Sequence, residues 1–164
     1  MKGLALRTTR GLYAITNGPR PDLPKVVAQA LAGGTRLLQY RDESGDSPRR
    51  QHEATALRQL CRAHGVPLII DADVTLALAV GADGVHLDDV AGIGSARATL
   101  GDQAIIGVSC RASLPCAQES VRTHNFACSD LHRDYLALTE RTGRRTVASG
   151  LGARCGGSTI CMHA

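Results

Sequence analysis

The sequence is short of lysine, of aromatic residues and of long apolar runs. Lysine occurs only at Lys2 and Lys25, so beyond residue 25 every permanent side-chain cation is an arginine. Any anion held further along the chain therefore falls to arginine, to backbone N–H groups or to a metal. Tryptophan is absent, and the aromatic residues are Tyr13, Tyr40, Phe126 and Tyr135. That supply is too thin for a base-stacking platform, and no basic run accompanies it, so the footprint of a nucleic-acid binder is missing. No apolar run approaches a membrane span, and the N-terminus lacks the apolar core of a signal peptide. A cytoplasmic protein without a membrane partner is the expectation. Six cysteines are present (Cys61, Cys110, Cys116, Cys128, Cys155 and Cys161), but none form a Cys-x-x-Cys pair and no histidine spacing completes a zinc site. They read as free thiols in a reducing compartment.

What is there suits a globular chain. Hydrophobic residues make up 43% of 164, enough for one domain with a real core. The formal net charge of +4 would suit a phosphorylated ligand and specifies none. The stretch Leu37-Leu38-Gln39-Tyr40-Arg41-Asp42-Glu43 begins as an apolar run and ends in polar side chains, directly after Gly33-Gly34. It reads as a buried strand that follows a helix C-terminus and delivers its polar end to a site.

The same grammar recurs along the chain. Leu12–Thr16 reads as a first strand, ended by Asn17-Gly18-Pro19. Asp22 is placed to cap a helix whose apolar face is Val26, Val27, Ala30 and Leu31, and Ser47 to cap another that runs to about His64 with Gly65 after it. Leu68-Ile69-Ile70 is a third strand, closed by Asp71-Ala72-Asp73, and a helix follows through Leu76, Ala77 and Val80. Val85-His86-Leu87 is a fourth strand, closed by Asp88-Asp89 and followed by a helix from about Ile93 to Leu100. Ala104–Val108 is a fifth, ending at Ser109-Cys110, with a further helix from Ser113 through Val121. Strands alternating with helices at short intervals predict a parallel sheet of βα units, and a (β/α) barrel in particular.

An internal echo points the same way. Ala30–Asp42 aligns with Ala77–Asp89, two βα units later, and matches helix end, glycine, strand and terminal Asp; Gln39 falls on His86. Alternate barrel strands point equivalent residues inward in one layer, so strands two and four are expected to share a facing. Beyond about residue 120 the pattern fades. Thr123–Asp130 has no clean strand period, Tyr135–Leu138 suggests a helical turn, and Gly150–Ser158 reads as loop. An eight-stranded barrel of this type takes about 250 residues. The expectation is therefore an incomplete TIM-type (β/α)8 barrel, about five parallel βα units over residues 10–121, with an irregular tail over 122–164.

Ligands of such folds gather beyond the carboxyl ends of the strands. That gathers Gln39, Arg41, Asp42 and Glu43, then Asp71 and Asp73, Asp88 and Asp89, and Ser109. Carboxylates converging with arginine and a hydroxyl suggest a hydrated Mg²⁺ bridging a substrate diphosphate. Each also has a plainer reading: Asp71, Asp73 and Asp88 as helix caps, Arg41 paired with Asp42 or Glu43 on the surface, His86 as a satisfied interior group.

Together, Leu12–Thr16, Gln39-Tyr40-Arg41-Asp42, Pro67–Ile70, Ala79–Leu87 and Ile106-Gly107-Val108-Ser109 resemble thiamine-phosphate synthase and its TenI-like relatives, in order, over roughly residues 10 to 118. The resemblance implies a (β/α)8 barrel that joins a hydroxymethylpyrimidine diphosphate to a thiazole phosphate, with Mg²⁺ assisting departure of the diphosphate. It implies that Gln39, Tyr40, Arg41, Asp42, Glu43, Asp71 and Ser109 line the pyrimidine-diphosphate site. The metal ligands it implies are Asp89, with Asp73 and Asp88 as neighbours. The chain also departs from the family pattern. Glu43 stands where the family has lysine, and Ala72 where it has a metal-binding aspartate. The family's His-Leu-Gly-x-x-Asp is shortened to His86-Leu87-Asp88-Asp89, and the later lysine-bearing and glycine-rich thiazole-phosphate segments have no counterpart. A truncation or shifted reading frame after about residue 118 would leave that pattern. The expectations are a transferase of thiamine biosynthesis; a TenI-like thiazole-phosphate protein; or an impaired remnant that binds a phosphorylated ligand and self-associates through open sheet edges on strands one and five.

Overall fold

The computed structural model describes residues 12–110, Gln118 and the strand 126–128. Six strands form one parallel sheet in chain order: β1 (Leu12–Ile15), β2 (Thr35–Tyr40), β3 (Leu68–Asp71), β4 (Gly84–Leu87), β5 (Ile105–Ser109) and β6 (Phe126–Cys128). Between them run α1 (Leu23–Ala32), α2 (Ser47–Ala63), α3 (Val74–Ala79) and α4 (Ile93–Leu100), the last preceded by a 3₁₀ turn, Val90–Gly92. Sequential strands paired in order, with a helix after each of β1 to β4, are the βα grammar closed part-way round, a curled half-barrel.

Two elements differ from the sequence expectation. Phe126–Cys128 is a strand, paired with β5 through Gly107↔Phe126 and Ser109↔Cys128. Three residues are too few for a period-two pattern, so only the neighbouring strand reveals it. Consequently β5 is not an edge, and among the described residues the end strands are β1 and β6. The α2 cap is Asp46 rather than Ser47: its carboxylate accepts from the Arg49 amide at 3.2 Å. Asp22 occupies the cap position of α1 but makes no side-chain cap bond, because its carboxylate is taken by Arg20. The expected helix from Ser113, Gln118 apart, and the tail from residue 129 lie outside the described residues.

The outer core lies between sheet and helices. Leu38, Tyr40, Leu68 and Ile70 meet Leu23, Val27, Leu31, Ala54, Leu57 and Cys61 from α1 and α2, with Leu76 and Ala77 from α3. A second cluster packs Val85, Leu87, Ile106 and Val108 against Ala96 of α4. Each fully buried Leu, Ile or Val contributes roughly 1.5–3 kcal/mol relative to exposure. Cys61 is a free thiol, and both it and Cys110 are buried. Burial pushes the Cys61 thiol up to about 11, with Asp83 adding to the shift, so it stays protonated and inert at neutral pH. The opposite face of the sheet carries Tyr13, Leu37, Ile69 and Ile105, with Ile15 beside them, and forms the inner layer. No helix of the described residues is long and apolar enough to cross a membrane.

Candidate functional site

The alternation of side chains along β2 divides the expected site residues into two sets. Leu37 and Gln39 face inward, and Leu38 and Tyr40 face the helices. Gln39 sits beside Ile69 in the register, and Ile69 beside Gly84. His86 lies two residues beyond Gly84, the stagger that about one residue per strand gives across two barrel strands. Both side chains turn to Asp71 of β3. The Gln39 amide donates to Asp71 Oδ1, and His86 Nδ1 is 3.7 Å from the same oxygen. The shared inward facing of strands two and four, read from the echo, is what the structure has.

Around this centre stands a polar cluster at the carboxyl end of the inner layer. The Tyr13 hydroxyl donates to Gln39 Oε1. Arg41 Nε is 3.6 Å from Asp71 Oδ2. Arg41 is held in place through its backbone: its N–H donates to Thr16 Oγ1 at 2.8 Å, and the Thr16 hydroxyl is 3.0 Å from the Arg41 carbonyl. Ser109 shares the inner face with Ile105 and Gly107 by alternation along β5. Sequence reasoning missed Tyr13 and Thr16. The available signal was a tyrosine within, and a threonine directly after, a strand expected to be interior. It also left His86 as an interior group; the ring is buried there, with Nδ1 facing Asp71 at 3.7 Å.

Tyr40 and Asp42 are a correction: they do not line this cluster. Both turn outward and are buried, at 1% and 6% exposure, under the start of α2. There the Tyr40 hydroxyl donates to Glu53 at 2.7 Å, and Arg49 bridges Asp42 at 2.7 Å and Glu53 at 3.0 Å. The Ser44 amide donates to Asp42 Oδ1 at 2.8 Å. This network fastens the β2–α2 loop to the helix layer and so presents Arg41 and Glu43, which lie on that loop. Burial acts to raise the Asp42 carboxyl, but the Ser44 amide and Arg49 guanidinium outweigh it and hold it below the ordinary carboxylate range. Tyr40, buried and hydrogen-bonded to Glu53, is raised beyond any physiological ionisation.

A pH dependence follows. In the unfolded chain Asp42 takes up a proton near pH 3.9, roughly the free-aspartate value, and the folded chain does so only at lower pH. Between these the unfolded state holds more protons, so the stabilisation is full above about pH 4 and is lost as pH falls through the folded value. The expected result is that Asp42→Asn destabilises the protein at neutral pH and that the gap from the parent narrows below about pH 4, read from urea midpoints at each pH. A gap constant with pH would remove Asp42 from the acid response.

The acidic residues at the next two strand ends are mostly engaged. Asp73 caps α3 through the Leu76 amide at 2.8 Å and pairs with Arg50 at 3.1 Å. Asp89 caps the 3₁₀ turn, its Oδ1 accepting from Ala91 and Gly92 at 2.8 and 3.3 Å. Asp88 is exposed. Directly before Asp73, Ala72 adopts a φ of +54°, in the left-handed region, which Asn and Asp tolerate better than alanine. Among the described residues no three His, Cys, Asp or Glu side chains are grouped to hold a metal. The donors left, Asp88 and Asp89 Oδ2, are hard oxygens. They fit an ion that arrives with phosphate oxygens and water rather than one caged by the protein.

A curled parallel sheet with helices outside and a polar cluster inside its carboxyl end defines a βα-barrel protein. The chain belongs to the thiamine monophosphate synthase family, whose model matches residues 12–136. That match runs past the boundary drawn near residue 121 and includes β6. Among curated relatives, the thiamine-phosphate synthase of Thioalkalivibrio sulfidiphilus is 51% identical over 113 residues, covering 66% of this chain and 53% of that protein. That of Chromobacterium violaceum is 53% identical over 103 residues, covering 61% and 50%. The structure of thiamine phosphate pyrophosphorylase from Pyrococcus furiosus aligns with a TM-score of 0.63 at 32% identity, over 73% of this chain and 59% of that one. The chain thus spans about half the length of the curated relatives it matches.

Proposed function

We propose that the chain carries the pyrimidine-diphosphate half of a thiamine-phosphate synthase site. The observation that carries this reading is the convergence of Gln39 and Arg41 on Asp71 inside the carboxyl end of the sheet. Gln39, with its amide fixed between Tyr13 and Asp71, would orient the pyrimidine. Arg41, locked to Thr16, would meet the diphosphate, and Ser109 would contact the same substrate from β5. In the coupling, the bond between the pyrimidine methylene carbon and the diphosphate oxygen breaks and its electron pair leaves with pyrophosphate. The thiazole nitrogen lone pair then forms the new C–N bond, giving thiamine phosphate. The protein's part is to bind the leaving charge and keep water from the carbocation. Mg²⁺, brought with the substrate and held at Asp89 with Asp88 and Asp73 nearby, would supply neutralising charge to the departing diphosphate.

Pyrophosphate release from pyrimidine diphosphate, thiazole phosphate and Mg²⁺ tests the reading. Release above a no-enzyme control is expected, falling at least about a hundredfold in Arg41→Ala, the loss of a bidentate charge-assisted contact. Chelation should stop release and leave the thermal midpoint unchanged, because the ion is not part of the fold. No release from the parent chain would remove the coupling activity. A second reading, a barrel that binds phosphorylated ligand without coupling, is favoured by Ala72 and by Glu43 lying on Arg41. Retained ligand binding without release would select it.

A further inference from the structure

Glu43 occupies the part of Arg41 that a phosphate would use. Its Oε1 lies 3.1 Å from Arg41 Nε and also accepts from Nη2, so one carboxylate engages the Nε–Nη2 edge of the guanidinium, the edge suited to bidentate oxyanions. Asp71 lies on the same guanidinium from the inner side. One cation between two carboxylates leaves a local formal charge of the wrong sign for a diphosphate. The neighbouring arginines do not relieve this. Arg49 is committed to Asp42, Asp46 and Glu53, and Arg50 to Asp73. Lysine is absent from the sequence beyond residue 25.

The two members of the pair differ in freedom. The Arg41 side chain is 22% exposed and its backbone is tied to Thr16, whereas the Glu43 side chain is 66% exposed. An incoming anion therefore meets the carboxylate first, and the carboxylate is the partner free to swing away. We propose that Glu43 is a built-in competing anion on Arg41 that sets the affinity of this site for phosphorylated ligands. The proposal rests on the reading above in which Arg41 receives the ligand's phosphate.

Titration of inorganic pyrophosphate by calorimetry at low salt tests it on the full chain. Because Glu43 is largely exposed, Glu43→Gln should keep the parent thermal midpoint and bind pyrophosphate about fivefold more tightly, the factor that losing a surface ion pair gives. Glu43→Lys should gain more, about tenfold or beyond, and added salt should shrink both gains. Glu43→Asp, which keeps the charge on a shorter stem, should stay nearer the parent than either. A Glu43→Gln affinity equal to the parent's, with Arg41→Ala abolishing binding, overturns the role of Glu43 and leaves the Arg41 reading intact. Binding undiminished in Arg41→Ala overturns the Arg41 reading and the proposal with it, as does the absence of binding in the parent and every variant.

Discussion

Asp83→Asn will lower the stability of the fold by about 3 kcal/mol, the low end of what breaking a buried ion pair costs when one partner stays behind. The Asp83 side chain is 5% exposed and its Oδ2 accepts from Arg58 at 2.6 Å and from the Leu68 amide at 2.9 Å. Its own N–H donates to the Leu68 carbonyl at 2.8 Å, and its carbonyl accepts from the Ile105 amide at 2.9 Å. One residue thereby ties the amino ends of β3 and β5 to α2. The asparagine retains the shape and backbone bonds but strands the Arg58 cation, whose side chain is 14% exposed. For a chain of this size, the loss corresponds to a fall in thermal midpoint of about 8 °C. The urea midpoint should fall with an unchanged slope, and Arg58→Met combined with Asp83→Asn should recover part of the loss by removing the stranded charge. Asp83 lies at the end of the barrel strands away from the candidate site, so the ligand affinity of the folded fraction should not change. A loss below about 0.5 kcal/mol would show the pair to be no more than a surface contact.

Gly84→Ala will be comparably damaging, by a different route. A Cβ at Gly84 would stand 1.8 Å from the Ile105 carbonyl oxygen and 2.6 Å from its carbon. Gly84 and Ile105 are register partners, so the obstructing atoms belong to the backbone of the neighbouring strand and cannot turn aside. The strands must separate, which strains the Asp83–Ile105 hydrogen bond and opens the inner layer at Ile105. Overpacking of this kind costs about 3 kcal/mol. Amide exchange of Ile105 to Val108 should quicken selectively, since β4–β5 pairing is what the methyl group displaces. A variant as stable as its parent would mean that the two strands separate without penalty.

The sequence by itself determined the βα alternation, five of the six strands among the described residues and the inward facing of Gln39 and His86. These rest on local causes: apolar runs of strand length, glycines at helix ends, caps, and a side-chain period that repeats wherever the unit repeats. It also placed Gln39 and Arg41 at a strand end, where chemistry gathers in such folds. What it left open depends on neighbours distant in the chain. Tyr40 and Asp42 sit in the same polar run as Gln39 and Arg41, yet only the covering helix, with Arg49 and Glu53, turns them into a buried network. Asp73 and Asp89 have the composition of metal ligands, and the amides that follow them make them caps. Phe126–Cys128 is too short to carry a period, and β5 alone makes it a strand. The tertiary structure decided these because hydrogen-bond partners and burial are properties of packing. It also decided how Glu43 bears on the site: as an anion held on Arg41.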